Sequence, residues 1–263
     1  RDADGLVPAE GAAFLALKRL ADARRDGDTI HGVIRGVGLS NDGRGKGLLA
    51  PSEEGQVRAI GAAYAMSGIT PGEVSLLECH ATGTPVGDAT ELRSSASIFQ
   101  SHAVPVGSLK SNLGHLITVA GAAGLIKLLE AMRARVRPPT LHCDEANPAL
   151  QQTPFRVLRE AEPWTGDGPR VAAISAFGFG GNNAHLIVSE DDAGIGVERV
   201  ATDACLVAIV GIGVKIADVP DRAAFARALF DDRAPRDGRM ESFELDMDGL
   251  RFPPRDLEQA RTA

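Results

Sequence analysis

Cysteine and long apolar runs are both scarce in this sequence. The chain has 263 residues and only three cysteines, Cys79, Cys143 and Cys205, and no two of them have CxxC spacing. An odd count without that spacing argues against a zinc site and against a disulfide framework, so we expect reduced thiols. The longest uncharged apolar run, residues 116–126, ends at Lys127 and is shorter than the ~18 residues typical of a membrane span.

Positive charge is also in deficit. The net charge is -7, which argues against nucleic acid as the main partner. The chain does not open with a basic segment followed by an apolar core and a cleavage site. We therefore expect a cytoplasmic protein that binds neither nucleic acid nor membranes. Because the first residues have the pattern of the middle of a fold, we also expect the chain to be a fragment.

The most informative stretch is residues 106–132, VGSLKSNLGHLITVAGAAGLIKLLEAM. Its pattern predicts a short buried strand, a polar turn over Lys110–Gly114, and then a helix buried on most faces. His115 would lie in the first turn of this helix. There the helix dipole and the nearby Lys110 would lower the pKa of the imidazole and favour a neutral hydrogen-bond donor. A lone histidine is more often structural, but this one shares its turn with a lysine.

A second histidine follows a predicted strand over residues 74–79. His80 begins the polar segment HATGTPVGD, in which Thr82 and Thr84 supply hydroxyl groups. Ligands of α/β sheets gather beyond the carboxyl ends of the strands, so we expect His80 and His115 to lie close together. A simple turn is the alternative interpretation of the Thr82–Thr84 segment.

A glycine-rich connection, SAFGFGGNNAH, joins two predicted strands near residue 180. Glycine alone is weak support for a site, because hairpin turns need it for backbone reasons. Here Phe177 and Phe179 alternate with Gly178 and other glycines. Backbone N–H groups of such a loop can stabilise an oxyanion while the rings exclude water. For Phe177 alone, core packing is the better interpretation.

The remaining pattern predicts an α/β domain with a largely parallel sheet between residues 30 and 132. We expect strands over 11–19, 30–39, 171–177 and 184–188, and helices over 20–25, 53–66 and 87–99. Ser52 and Gly68 are the expected caps of the 53–66 helix. Residues 191–203 are expected to be a linker, and 204–263 the truncated start of a second domain.

Three segments in this order resemble the late motifs of β-ketoacyl synthases of the polyketide and fatty-acid synthase type, including polyunsaturated fatty acid synthases. They are ECHATGTPVGDATE, SLKSNLGHLITVAGAAGLIK and SAFGFGGNNAHLIV. The resemblance covers residues 1 to 190 and implies the C-terminal half of a thiolase-like α/β fold with α-β-α-β-α layers, incomplete in this chain. The segment from Val207, which begins VAIVGIGV, resembles the opening of another ketosynthase-like domain, similar to a chain-length factor.

The resemblance also implies roles for individual residues in the decarboxylative condensation of a malonyl thioester. His80 and His115 would assist decarboxylation, supported by Lys110, and the Phe179 N–H would contribute to an oxyanion hole. The expected contacts of the phosphopantetheine arm are Thr82, Thr84, Phe177 and Gly178.

Partners follow from the same resemblance. We expect an acyl carrier protein that presents phosphopantetheine, no directly bound cofactor or metal, and the upstream half of the domain. A homodimer, or a heterodimer with a chain-length factor, is also expected. Cys79 is interpreted as a buried structural residue, and neither it nor Cys143 or Cys205 follows the pattern of a strand-to-helix turn, so the nucleophilic cysteine would lie outside this chain. Two departures, Ala81 for glycine and Asn182 for threonine, suggest a divergent subfamily. The alternatives are a non-catalytic thiolase-like partner protein and one half of a split protein.

Overall fold

A computed structural model describes residues 5–43, 50–166 and 168–191 of the chain. The predicted linker, apart from Asp191, and the predicted second domain lie outside the described residues. In the described part, no helix combines the length and the apolar character needed to cross a membrane.

Helices and strands alternate over most of the described chain. The α-helices are α1 (Leu20–Asp26), α2 (Glu53–Ser67), α3 (Pro85–Phe99), α4 (Lys110–Leu113) and α5 (Ala120–Ala134). Short 3-10 helices occupy Pro71–Glu73, Ile117–Val119 and Pro148–Gln152. The strands are β1 (Val33–Asn41), β2 (Leu76–Glu78), β3 (Pro105–Gly107), β4 (Val136–Arg137), β5 (Arg156–Val157), β6 (Glu162–Pro163), β7 (Val171–Gly178) and β8 (Asn182–Ser189).

Six strands form one mixed sheet in the order β1-β8-β7-β2-β3-β5. The pairs from β7 to β5 are parallel, whereas β8 pairs antiparallel with both β7 and β1. The prediction of a largely parallel sheet is therefore correct for β2 and β3 and wrong for β1. The neighbour of β1 comes from a hairpin about 150 residues further along, and local patterns carry no information about such a partner.

Alternate side chains of the strands enter two separate cores, as the period of a strand requires. Leu77, Ala173 and Ile187 pack with α2 and α3 on one face of the sheet. Their neighbours Leu76, Ala172 and Val188 pack with α5 on the other face. The sheet is thus covered by helices on both sides, which agrees with the predicted α/β class.

The strand predicted over residues 11–19 is not found. The segment forms no sheet ladder with the described residues, and Phe14 and Leu17 are 94% and 75% exposed. An alternating pattern produces a strand only where a neighbouring strand offers backbone hydrogen bonds. The segment lacks such a neighbour in the described part of the chain.

Helix α2 confirms its sequence signals. The Ser52 hydroxyl accepts a hydrogen bond from the Gly55 N–H, and Gly68 ends the helix with φ of 66°. Two glycines of β1 allow α2 to pack directly on the strand. A Cβ atom at Gly36 or Gly38 would collide with the carbonyl oxygen of Ala63 or Ala59, respectively.

Helix α5 begins later, and is less enclosed, than predicted. It starts at Ala120, and its buried residues lie on one face, with Ile126 on the opposite side 40% exposed. The prediction that the helix is buried on most faces is wrong for the described residues, because the described chain packs against one face only. On the buried face, Gly124 lies very close to β7, since a Cβ atom there would be 2.6 Å from Ile174 Cδ1.

Candidate active site

His80 follows β2 at the carboxyl end of the sheet, where a buried carboxylate fixes the backbone. Glu91 of α3, only 3% exposed, accepts the His80 N–H at Oε1 and the Ala81 N–H at Oε2, both at 2.7 Å. Ala81 adopts φ of 27°, a region that favours glycine. The carboxylate clamp therefore holds the chain in a strained turn directly after the histidine.

His115 does not lie in the first turn of α5, so that prediction is wrong. Its N–H donates to the Val7 carbonyl at 2.7 Å, and its own carbonyl accepts the Ala9 N–H at 2.9 Å. These bonds keep the backbone extended at His115, and the 3-10 turn from Ile117 separates it from α5. The dipole of α5 therefore does not act on the imidazole in the way that the sequence suggested.

Hydrogen bonding nevertheless defines the state of the His115 ring. The Ile117 N–H donates to Nδ1 at 2.9 Å, so Nδ1 accepts and the proton of a neutral ring lies on Nε2. Burial lowers the pKa of His115, and the charge of Lys110 lowers it further. At neutral pH this imidazole is a hydrogen-bond donor through Nε2.

The two imidazoles lie together, as the positions of the strand ends predict. The ring centroids of His80 and His115 are 5.5 Å apart and the ring planes cross at 84°. Phe177 contacts the His80 ring at a centroid distance of 6.0 Å. Burial lowers the pKa of His80 to about 3, with smaller contributions from Lys110 and His115. Both rings are therefore neutral at pH 7.

Lys110 begins the one-turn helix α4, where the sequence predicts a polar turn. Burial lowers the pKa of its ammonium group, and the carboxylates of Glu91 and Glu78 act in the opposite direction. Its charge acts on both imidazoles. The structure thus brings Lys110, His80 and His115 into one electrostatic unit.

Thr82 and Thr84 lie beside this unit at the start of α3. Their hydroxyl oxygens are 3.1 Å apart, and the Thr82 N–H donates to the Asp88 carboxylate at 3.1 Å. Both threonines are partly exposed. Their hydroxyl groups can therefore hydrogen-bond a ligand that reaches the histidines.

The glycine-rich hairpin between β7 and β8 borders the same region. Phe177 is 9% exposed and contacts His80, whereas the Phe179 side chain is 63% exposed. Gly180 and Gly181 adopt φ of 79° and 75°, which the tight reversal requires. Gly178 ends β7 beside these residues. The roles of Gly178, Phe177 and the Phe179 N–H toward a ligand stay predictions.

Sequence reasoning missed two buried acids of the site, Glu78 and Glu91. Glu78 ends β2, and its carboxylate is bound by the Leu109 N–H and by the Lys127 ammonium. Glu78 interrupts an apolar strand, whereas Glu91 lies beside Thr90, Ser94 and Ser95 on the buried face of α3. A buried acid in an apolar strand could have been noticed in the sequence at Glu78. The hydrogen-bond partners of both acids lie on other elements, and local sequence patterns do not reveal them. Cys79, between Glu78 and His80, is buried, and burial raises the pKa of its thiol.

Comparison with known proteins identifies the family. Residues 31–144 match the model of the β-ketoacyl synthase C-terminal domain, and residues 144–210 match that of the ketoacyl-synthetase C-terminal extension. Over 197 residues, 71% of this chain, it is 46% identical to polyketide synthase ThaG of Burkholderia thailandensis. It is 45% identical over 197 residues, 72% of the chain, to a phenolphthiocerol/phthiocerol polyketide synthase of Mycobacterium tuberculosis.

A solved structure agrees with these relatives. The oxazolomycin ketosynthase domain OzmH KS7 of Streptomyces albus superimposes with a TM-score of 0.70 and 40% identity, over 73% of this chain and 35% of that one. The chain spans 4% of ThaG and 13% of the mycobacterial synthase. The chain belongs to the β-ketoacyl synthase family and contains the C-terminal part of a ketosynthase, with a thiolase-like fold, of the polyketide synthase type.

Proposed function

We propose that this chain supplies the decarboxylation machinery of a ketosynthase that elongates an acyl chain by Claisen condensation. The observation that carries the proposal is the pair of neutral imidazoles 5.5 Å apart, with the proton of His115 directed to Nε2 by the Ile117 N–H. Two such donors suit a single oxygen atom that gains negative charge. The family membership of the chain supports the same reaction.

In this proposal the carbonyl oxygen of a malonyl thioester lies between His80 and His115. The bond between the malonyl carboxylate and the α-carbon breaks, CO2 leaves, and the electron pair moves into the carbonyl as an enolate. Both imidazoles donate hydrogen bonds to the enolate oxygen and so stabilise charge that develops in the transition state. Lys110 adds positive charge nearby and helps to keep both rings neutral.

The α-carbon then attacks the acyl thioester of a nucleophilic cysteine. A carbon–carbon bond forms, and the cysteine leaves as a thiolate. We assign this cysteine to a part of the protein outside the chain, since the sequence places none of Cys79, Cys143 and Cys205 at a strand-to-helix turn. Cys79 is also buried, and its burial disfavours the thiolate. In the condensation the Phe179 N–H would stabilise the tetrahedral oxyanion.

An acyl carrier protein would deliver the malonyl group on its phosphopantetheine arm, which supplies the thioester. The neighbouring hydroxyl groups of Thr82 and Thr84 fit the amides of such an arm, and Phe177 and Gly178 would border it. We also propose that the chain functions with the upstream half of its domain and in a dimer, either with itself or with a chain-length factor.

The test uses the complete ketosynthase that contains this chain, with malonyl carrier protein as substrate. His80→Ala and His115→Ala should each lower the rate of CO2 release by about 10²- to 10³-fold, the typical effect of one donor to a developing oxyanion. The exposed His31→Ala is the matched control and should leave the rate unchanged. Unchanged rates in the first two variants would refute the proposed roles.

The alternative is a non-catalytic thiolase-like protein that shapes the acyl pocket or the dimer. The same assay separates the two functions, because such a protein releases no CO2 and forms no acyl-enzyme. Detection of an acyl group on a cysteine of the complete protein by mass spectrometry would exclude the alternative.

A further inference from the structure

A buried ion pair lies behind the site, on the face of the sheet opposite α3. Glu78 is 3% exposed and Lys127 of α5 only 12%, and the Lys127 ammonium donates to Glu78 Oε2 at 2.6 Å. Buried ion pairs are weak contributors to stability, because the cost of removing two charges from water offsets their attraction. Stability alone therefore does not explain a charged pair in this core.

The second oxygen of Glu78 indicates a more specific role. Oε1 accepts the Leu109 N–H at 2.6 Å, and Leu109 directly precedes Lys110. The Leu109 carbonyl accepts the N–H groups of Asn112 and Leu113, which form the single turn of α4. Leu109 is thus the N-cap of α4, and its own side chain makes no capping bond, although the Ser108 hydroxyl accepts the Lys110 N–H at 3.4 Å. The bond from Leu109 to Glu78, at 2.6 Å, is much shorter than the Ser108 bond, so Glu78 is the stronger anchor of the start of α4.

Helix α4 connects this anchor to the site. It begins with Lys110 and ends at Leu113, and His115 follows directly after the C-cap Gly114. A shift of α4 would move the lysine and the His115 backbone together. Glu91 holds the His80 backbone from one face of the sheet, and Glu78 holds the Lys110 turn from the other.

We propose that Glu78, with Lys127 as its counterion, is a positioning residue that fixes Lys110 and His115 through the Leu109 N–H. This inference rests on the proposed function, since it assigns Glu78 to the decarboxylation step. Burial raises the pKa of the Glu78 carboxyl, and Lys127 opposes that effect and so favours the ionised carboxylate. Glu78 itself does not need to touch the substrate.

Two double variants of the complete ketosynthase separate positioning from charge. E78Q/K127M and E78M/K127M both remove the ion pair and have the same net charge, but only glutamine retains an oxygen for the Leu109 N–H. E78M/K127M should release CO2 from malonyl carrier protein about 10- to 100-fold more slowly than E78Q/K127M, because a displacement near 1 Å can cost a factor of this size. Acylation of the nucleophilic cysteine, a step to which the proposal assigns neither Lys110 nor His115, should be equal in the two variants.

Equal CO2 release by the two double variants would overturn the proposal, and so would a parallel loss of acylation, which indicates a general structural role. Glu78→Asp covers the case in which E78M/K127M does not fold. Its charge can still pair with the flexible lysine, but the shorter side chain does not reach Leu109, so a loss of about tenfold in CO2 release is expected. Full activity of Glu78→Asp would also contradict the proposal.

His115→Ala and the exposed Glu130→Gln of α5 complete the experiment. If His115→Ala keeps its rate, the proposed function has failed. If His115→Ala loses its rate but E78Q/K127M and E78M/K127M release CO2 at equal rates, only the role of Glu78 has failed. Glu130→Gln removes the exposed ion pair with Arg133 and should behave as the parent protein.

Discussion

Acidification tests whether His80 is neutral within the fold. Its pKa is lowered from 6.5 to about 3, mainly by burial. Because the pKa is lower in the folded than in the unfolded protein, His80 contributes stability above pH 6.5 that is lost as the pH falls from 6.5 toward 3. At pH 5, His80 is protonated in the unfolded state but not in the folded state. This difference lowers the free energy of unfolding by about 2 kcal/mol.

The assay compares the free energy of unfolding of the complete ketosynthase and its His80→Gln variant at pH 7 and pH 5. Between these values the parent should lose about 2 kcal/mol more than the variant, because glutamine does not titrate. The exposed His31→Gln is the matched control and should follow the parent. The pH profile of CO2 release should show no titration of His80 near pH 6.5. Any inflection near that pH in the parent should therefore persist in His80→Gln. Two results would refute a neutral His80. One is an equal loss of unfolding free energy in the parent and in His80→Gln, and the other is an inflection near pH 6.5 that is present in the parent and absent from His80→Gln.

Further predictions concern packing, strain and substrate binding. Gly38→Ala should destabilise the domain by about 3 kcal/mol, since its Cβ would collide with a backbone oxygen of α2. Gly61→Ala, in open space on α2, should stabilise the domain by up to about 1 kcal/mol. Denaturant midpoints of the two variants check both predictions, and a Gly38→Ala variant as stable as the parent would contradict the packing of α2 on β1. Ala81→Gly should raise the free energy of unfolding by about 0.5–1 kcal/mol without loss of CO2 release, because φ of 27° suits glycine. A variant less stable than the parent would argue against backbone strain at Ala81. Thr82→Val should raise KM for malonyl carrier protein about 5- to 10-fold with little change in kcat, as expected for one hydrogen bond to the bound arm. A fall in kcat at constant KM would contradict this role.

Much of the fold is encoded in local signals that the sequence displays. The cap at Ser52 and the stop at Gly68 define α2, and both are confirmed. The β7–β8 hairpin follows from its glycines, and the placement of His80 after β2 follows from the polar segment after an apolar strand. These features depend on neighbours within a few residues, which a sequence pattern contains.

The remainder depends on contacts between distant segments. His115 is extended rather than helical because residues 7–9 form backbone hydrogen bonds with it. The clamp of Glu91 on the His80 backbone and the bond from Leu109 to Glu78 each join different elements. Residue types suggest chemistry at these positions, but the pairing appears only once the sheet brings the elements together. The cytoplasmic location, the domain boundaries after residue 190 and the second domain stay predictions.

The most direct test of the account is a double-mutant cycle of His80→Ala and His115→Ala on CO2 release from malonyl carrier protein. If both imidazoles donate to one enolate oxygen, each single change should cost about 10²- to 10³-fold. The double variant should then be at most about tenfold slower than the slower single variant, because groups that act as a unit are not additive. Two losses that multiply independently, or no loss at all, would contradict a shared oxygen between the two rings.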